Sequence, residues 1–160
     1  MAVKVGEALA KKGFHIMNGG YMGLMEATTK GARKVEGAKI RGVLVPKAFP
    51  MRKGGNKYLT HKLEEDTIEE RLATLVGKAS AFVVLPGSLG TLTELVMAWN
   101  TAVLAPLAGQ NPPPIIAFKD PWEDILKGVQ AKLKIPEQML QMVQFVSSAE
   151  EAIETISKLS

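Results

Sequence analysis

Cysteine is absent from the 160 residues, which excludes disulfides, thiolate nucleophiles and every cysteine-held zinc or iron–sulfur site. Histidine is scarce: His15 and His61 are the only two. They stand far apart and outside any metal-ligand spacing, so both read as structural and no metal site is expected. Aromatic residues make up 6% of the chain, too few for the stacking platforms that hold single-stranded nucleic acid. No apolar run approaches the roughly 20 residues that span a bilayer, and no charged segment followed by an apolar one opens the chain as a secretion signal would. A cytoplasmic protein with no membrane contact is therefore expected. What is present is ordinary for a globular protein. Hydrophobic residues at 46% and charged ones at 22% fit neither a disordered nor a membrane class, and the length suits a single domain, residues 1–160, around one core.

The net charge of +4 is unevenly spread. Residues 1–62 carry thirteen Lys or Arg against three acids, Glu7, Glu26 and Glu36, whereas the remainder carries seven against thirteen. The densest basic stretch, Lys47-Ala-Phe-Pro-Met-Arg52-Lys53-Gly-Gly-Asn-Lys57, reads as a loop because of Pro50, Gly54 and Gly55. Such a patch attracts phosphates or nucleic acid, or is simply a solvated surface.

Strand and helix patterns alternate. Val3 to Lys12 reads as an amphipathic helix closed by Gly13, and Phe14 to Met17 as a short strand leading into the glycine turn Asn18-Gly19-Gly20-Tyr21-Met22-Gly23. A helix from Leu24 to Lys34, a strand from Lys39 to Val45, the basic loop and a strand near Tyr58 to Leu63 follow. Asp66 or Thr67 caps a helix reaching Lys78, with Glu69 and Glu70 in its first turn. Ala81 to Leu85 is a continuous apolar run of the kind buried on both faces of a parallel sheet. After a second glycine turn, a helix to Leu104 is expected to bury Leu92, Leu95, Val96 and Trp99. The chain closes with a strand at Ile115 to Phe118, a helix capped by Asp120 reaching Leu133, a strand at Val143 to Val146 and a helix capped by Ser147 or Ser148 running to Leu159. The pattern predicts an α/β fold, a Rossmann-like doubly wound parallel sheet with helices on both faces. Such folds begin with a strand and this chain opens in a helix, so the first strand, a central one, is expected to be missing.

The richest segment is Leu85-Pro86-Gly87-Ser88-Leu89-Gly90-Thr91-Leu92-Thr93-Glu94. A strand that runs through a glycine turn into a helix presents unpaired amides and the positive end of the helix dipole, a site for an anion such as phosphate. Gly87 and Gly90 permit positive φ and close approach of a ligand to the backbone. Glu94 does not bind that anion. It either complements the helix dipole from the first turn, worth roughly 0.3–1 kcal/mol, or points at whatever the phosphate is attached to, such as a ribose.

These two glycine turns, with Thr67-Ile-Glu-Glu-Arg71 between them, resemble the LOG (Lonely Guy) family, whose members often bear the label lysine decarboxylase. The resemblance covers nearly the whole chain. Pro86, Gly87, Gly90, Thr91 and Glu94 match the family signature PGGxGTxxE, with Ser88 at the second glycine. Asn18-Gly-Gly-Tyr-Met-Gly-Leu-Met-Glu26 is similar to the family's earlier glycine-rich motif. Of a further motif, Met-His-x-x-Arg-Lys, only Arg71 is retained, with Thr67 and Ile68 in place of the first pair and Leu72 in place of the lysine. The resemblance implies cleavage of the N-glycosidic bond of a nucleoside 5′-monophosphate, AMP-like or a cytokinin ribotide, to free base and ribose 5-phosphate, with no cofactor. It implies substrate contacts at Gly19, Gly20, Gly23 and Met25 and along Pro86, Gly87, Ser88, Leu89, Gly90 and Thr91. The phosphate would rest on the amides of Gly87 to Thr91, with Glu94 and Arg71 as the catalytic pair. Arg71 also reads as an ordinary surface partner of Glu69 and Glu70. A homodimer is implied as well, and the spread of Met97, Trp99 and Val103 around the helix ending at Leu104 agrees with one. No motif identifies a lysine for pyridoxal phosphate. The alternative on the same fold is a non-enzymatic nucleotide or cofactor carrier, while a nucleic-acid surface lacks any recognition motif.

Overall fold

The structure, a computed structural model, describes residues 1–52 and 54–158. Lys53 of the basic loop and Leu159, the expected end of the last helix, lie outside the described residues. The chain divides into two compact units, Met1–Lys78 and Ala79–Ser160.

The first unit holds α1 (Ala2–Lys11), β1 (Ile16–Asn18), α2 (Leu24–Ala32), β2 (Ile40–Leu44), β3 (His61–Glu64) and α3 (Ile68–Gly77). Its strands form a parallel sheet in the order β1-β2-β3, with Ile16 paired to Ile40 and Arg41 to His61. Helices α1 and α2 cross at glycine: a Cβ on Gly6 would strike the Thr28 carbonyl, and one on Gly31 the Val3 carbonyl. The two backbones thus touch, which larger residues forbid. Ala10, Ile16, Ala32 and Ile40 form the core beneath that crossing. The Asp66-or-Thr67 alternative resolves to Thr67, whose hydroxyl accepts from the Glu70 amide at 3.1 Å while the Glu70 carboxylate accepts from the Thr67 amide, also at 3.1 Å. This reciprocal capping box is why α3 starts where it does.

The second unit holds β4 (Phe82–Val84), α4 (Leu89–Leu104), β5 (Ile115–Phe118), α5 (Lys119–Leu133), α6 (Glu137–Leu140), β6 (Val143–Val146) and α7 (Ala149–Ser157). Its strands are parallel in the order β4-β5-β6, and all four residues of β5 are buried, as befits a central strand covered on both faces. Leu95, Trp99, Ile115, Trp122, Leu126 and Val143 dominate the core.

The fold class is α/β with parallel sheets and flanking helices, and the hydrogen-bonded strands fall into two three-stranded ladders. Several boundaries differ from the sequence pattern. β3 lies three residues later than Tyr58 and runs to Glu64. Its residues are mostly exposed, so it has little hydrophobic pattern to announce it. On α4, Leu95 and Trp99 are buried and Leu92 is half-buried, but Val96 is 41% exposed, on the outer face. Asp120 keeps extended backbone (φ −88°, ψ 122°), so regular helical turns of α5 begin at Pro121, where a missing N–H costs nothing. The single turn α6 has no counterpart in the sequence reading.

Candidate functional site

In the first unit the site is built on the loop between β1 and α2. Asn18 ends β1 and its Oδ1 accepts from the Gly20 amide at 2.8 Å, while its Nδ2 donates to the Met25 carbonyl at 3.2 Å. Gly20 adopts φ +73°, which bends the chain sharply over the sheet. A Cβ there would lie 2.9 Å from the Cα of Gly42 in β2, so the turn rests backbone on backbone. Gly23 (φ +74°) then precedes the first residue of α2.

Arg71 reaches this turn from α3. Its Nε donates to the Val43 carbonyl at 2.9 Å, and the guanidinium extends across Gly19, where any Cβ would collide with it. The Met25 sulfur flanks the same spot, 2.8 Å from where that Cβ would be. Arg71, Gly19 and Met25 are thereby gathered around one point. Arg71 is half-buried beside a backbone turn, which is not the setting of a solvated surface arginine. A separate open cleft of about 360 Å³ borders Gly23 and is lined by Val3, Glu26, Ala27, Lys30 and Tyr58, but by none of Gly19, Gly20, Met25 and Arg71.

The basic loop packs on the same turn. Arg52 stacks over the rings of Tyr21 and Phe49, at 5.9 and 5.4 Å from their centroids, and the two rings meet edge to face at 5.4 Å. Tyr21 is buried and its hydroxyl oxygen accepts from the Val45 amide at 2.8 Å. Asn56, a residue the motifs do not mark, bonds to the Gly20 and Tyr21 carbonyls. At the loop's other end Lys47 pairs with Asp66 at 2.7 Å, and that carboxylate raises the lysine's pKa.

In the second unit β4 leads through Leu85, Pro86 and Gly87 to Ser88, whose extended backbone (φ −117°, ψ −159°) precedes α4. The indole of Trp122 donates to the Leu85 carbonyl at 2.9 Å and anchors the start of this turn. Neither Gly87 nor Gly90 uses a positive φ. Gly87 is needed for another reason: the Thr91 side chain folds against it and fills the space of a Cβ, with the Thr91 Cβ only 2.7 Å away. Around Gly90 there is open space. Ser88 makes no side-chain cap bond, and Ser88, Leu89 and Gly90 are exposed. The first turn of α4 therefore offers its amides outward.

That first turn contains no acidic residue; Glu94 is half-buried in the second. Interaction with the helix dipole fades beyond the first turn, so dipole complementation does not account for it. At positions i+3 from Thr91 and i+4 from Gly90, Glu94 shares their face of the helix, about 5 Å further along the axis. His15 and His61 are both exposed, His61 beside the Thr60 hydroxyl at 2.9 Å. No helix among the described residues is long and apolar enough to cross a membrane.

The family model described as possible lysine decarboxylase matches residues 25–156. The cytokinin riboside 5′-monophosphate phosphoribohydrolase of Mycobacterium tuberculosis is 34% identical over 123 residues, which are 76% of this chain and 62% of that protein. The chain thus spans less than two-thirds of that relative's length. An uncharacterized protein of Archaeoglobus fulgidus is 30% identical over 139 residues, 84% of this chain and 87% of its own. Among solved structures, the molybdenum cofactor binding protein of Rippkaea orientalis superposes with a TM-score of 0.74 at 24% identity, over 99% of this chain and 85% of that one. That likeness concerns the fold.

Proposed function

We propose that this chain, which belongs to the possible lysine decarboxylase family, hydrolyses the N-glycosidic bond of a nucleoside 5′-monophosphate, AMP or a cytokinin ribotide, to free base and ribose 5-phosphate. The observation that carries the reading is Glu94, a half-buried carboxylate one helical turn beyond the exposed start of α4 and on the face of Thr91. A phosphate on the amides of Gly87 to Thr91 has its sugar on the Glu94 side.

The C1′–N bond breaks with its electron pair going to the base, which takes up a proton. Water adds to C1′ and loses one. Positive charge grows on the sugar in between, and the Glu94 carboxylate stabilises it. Thr91, whose hydroxyl lies against Gly87, and Ser88, whose hydroxyl is not used for capping, add donors for the phosphate. Arg71, fixed by the Val43 carbonyl and lying across Gly19 beside Met25, supplies positive charge at the glycine turn of the first unit, where Gly20 and Gly23 leave the backbone bare. Neither glycine turn contains a lysine, so decarboxylation through a pyridoxal Schiff base finds no support there. Residues 1–160 act as one nucleotide-binding domain in this reading, and a nucleotide substrate fits a cytoplasmic protein.

Incubation with AMP and with a cytokinin riboside monophosphate is expected to release base and ribose 5-phosphate. Glu94→Gln, which keeps shape and removes charge, is expected to lower the rate about 10²–10³-fold, and Arg71→Ala to lower it as well. Release at the parental rate from both variants sinks the mechanism; binding of AMP without turnover favours the carrier. The protein is also a homodimer in this reading, because α4 and the turn after it expose Leu89, Val96, Met97, Leu104 and Leu107. A monomeric mass at micromolar concentration contradicts that.

A further inference from the structure

Among the described residues, four helical glutamates stand four positions ahead of a lysine, the order in which such a pair closes most readily. Three of them close: Glu7 on Lys11 in α1 at 2.7 Å, Glu123 on Lys127 in α5 at 2.9 Å, and Glu154 on Lys158 at the end of α7 at 3.0 Å. The fourth, Glu26 and Lys30 in α2, stays open, and neither side chain has a hydrogen-bond or ion-pair partner among the described residues. Their signs suit the two ends of a short helix, but that does not explain why the pair is not made.

Both side chains line the cleft of about 360 Å³ in the first unit, with Val3, Gly23, Ala27 and Tyr58 as its other walls. That volume lies at the small end of the roughly 300–1,000 Å³ typical of small-molecule sites. The walls are held without an occupant. The Val3 carbonyl lies against Gly31 with no room for a Cβ, which fixes α1 on α2 at this side. The Tyr58 amide donates to Asn56 Oδ1 at 3.1 Å, and the same oxygen accepts from the Thr29 hydroxyl of α2 at 3.0 Å. Buried Asn56 thus ties the Tyr58 wall to the helix that bears Glu26 and Lys30. A site organised beforehand loses less on binding.

The charges select the occupant. Glu26 is half-buried and Lys30 exposed, and the Lys57 ammonium lies 5.4 Å from the centre of the Tyr58 ring. A simple anion meets the Glu26 carboxylate, and a simple cation meets the two ammonium groups. A molecule with an ammonium and a carboxylate on one carbon answers both signs, and side chains one turn apart on a helix, about 5–6 Å between Cβ atoms, leave room for it between them.

We propose that this cleft binds a free α-amino acid with an apolar side chain: its ammonium on Glu26, its carboxylate on Lys30, its side chain against Val3, Ala27 and Tyr58. The site lies wholly within the first unit and does not depend on the hydrolase reading.

The test is titration with L-phenylalanine followed by ligand-observed NMR, which is expected to saturate with a Kd of about 1 mM. 3-Phenylpropanoate lacks the ammonium and phenethylamine the carboxylate, and each is expected to bind at least about tenfold more weakly. Glu26→Gln and Lys30→Met are each expected to raise the Kd for L-phenylalanine about tenfold, with little change in melting temperature. Ala27→Leu narrows the cleft without touching either charge and is expected to weaken binding as well, a loss that a change of surface charge alone does not produce. No saturation in the parent by about 10 mM overturns the proposal. So does either single-charge compound binding as tightly as the amino acid, or parental affinity in both charge variants.

Discussion

Gly19→Ala separates the arrangement around Arg71 from the stability of the fold. Gly19 does not use the left-handed region, so alanine is conformationally acceptable there and limits the unfolded chain, a gain of about 0.4–1 kcal/mol. The new methyl group collides with the Arg71 guanidinium, the far end of a flexible side chain, and with the Met25 sulfur, another flexible end. The arginine yields before the backbone does. Moving it breaks the charge-assisted bond from Nε to the Val43 carbonyl, worth about 1.5–3 kcal/mol. The net loss is about 0.5–2.6 kcal/mol, a fall in melting temperature of roughly 1–10 °C at this size. Base release from AMP, measured on the folded variant, is expected to fall as far as in Arg71→Ala. A Gly19→Ala protein that melts a few degrees lower and turns over like the parent would refute the assignment of Arg71, since the guanidinium no longer occupies its position. A much larger drop in melting temperature would mean that the backbone of the turn moves too.

Gly31→Ala makes the same chemical change against a different neighbour, the Val3 backbone. It is expected to cost about 1–3 kcal/mol in denaturant melts by forcing α1 and α2 apart. Thr67→Ala removes half of the capping box of α3 and is expected to cost about 1 kcal/mol, read from urea unfolding. Glu7 is bonded to Lys11 at 2.7 Å and Lys34 at 2.9 Å, and the two ammonium groups lower its pKa from 4.5 to about 2. A depressed carboxylate stabilises the fold above its unfolded pKa and loses that contribution as pH falls through the folded one. The melting-temperature difference between parent and Glu7→Gln is therefore expected to shrink between pH 4.5 and 2; a difference that stays constant there rules the linkage out.

The elements around the second glycine turn were legible because several local signals coincide there. The apolar run before Pro86, the glycines and the helix pattern after Ser88 agree with one another, and α4 begins at Leu89. Thr67 and Glu70 are three residues apart, so their box is visible in any reading of the chain. Asn56 was not legible. The two carbonyls it holds lie 35 and 36 residues back, and an asparagine after two glycines looks the same whether solvated or buried. The role of Gly87 was hidden for a related reason, since the need for glycine comes from where the Thr91 side chain folds and not from φ. Val96 shows the limit of helical periodicity on α4, where apolar residues occupy nearly every face and spacing alone does not say which face is inner.

The bond from Trp122 to the Leu85 carbonyl gives the second glycine turn its own optical reporter. The chain has two tryptophans, and the other, Trp99, donates to the Met139 carbonyl at 2.7 Å. With Trp99 replaced by phenylalanine, a single indole would remain, hydrogen-bonded to the residue just before Pro86. Its emission would report any change in the hydrogen bond at the start of the turn, without a label and in real time, whether or not a bond is cleaved.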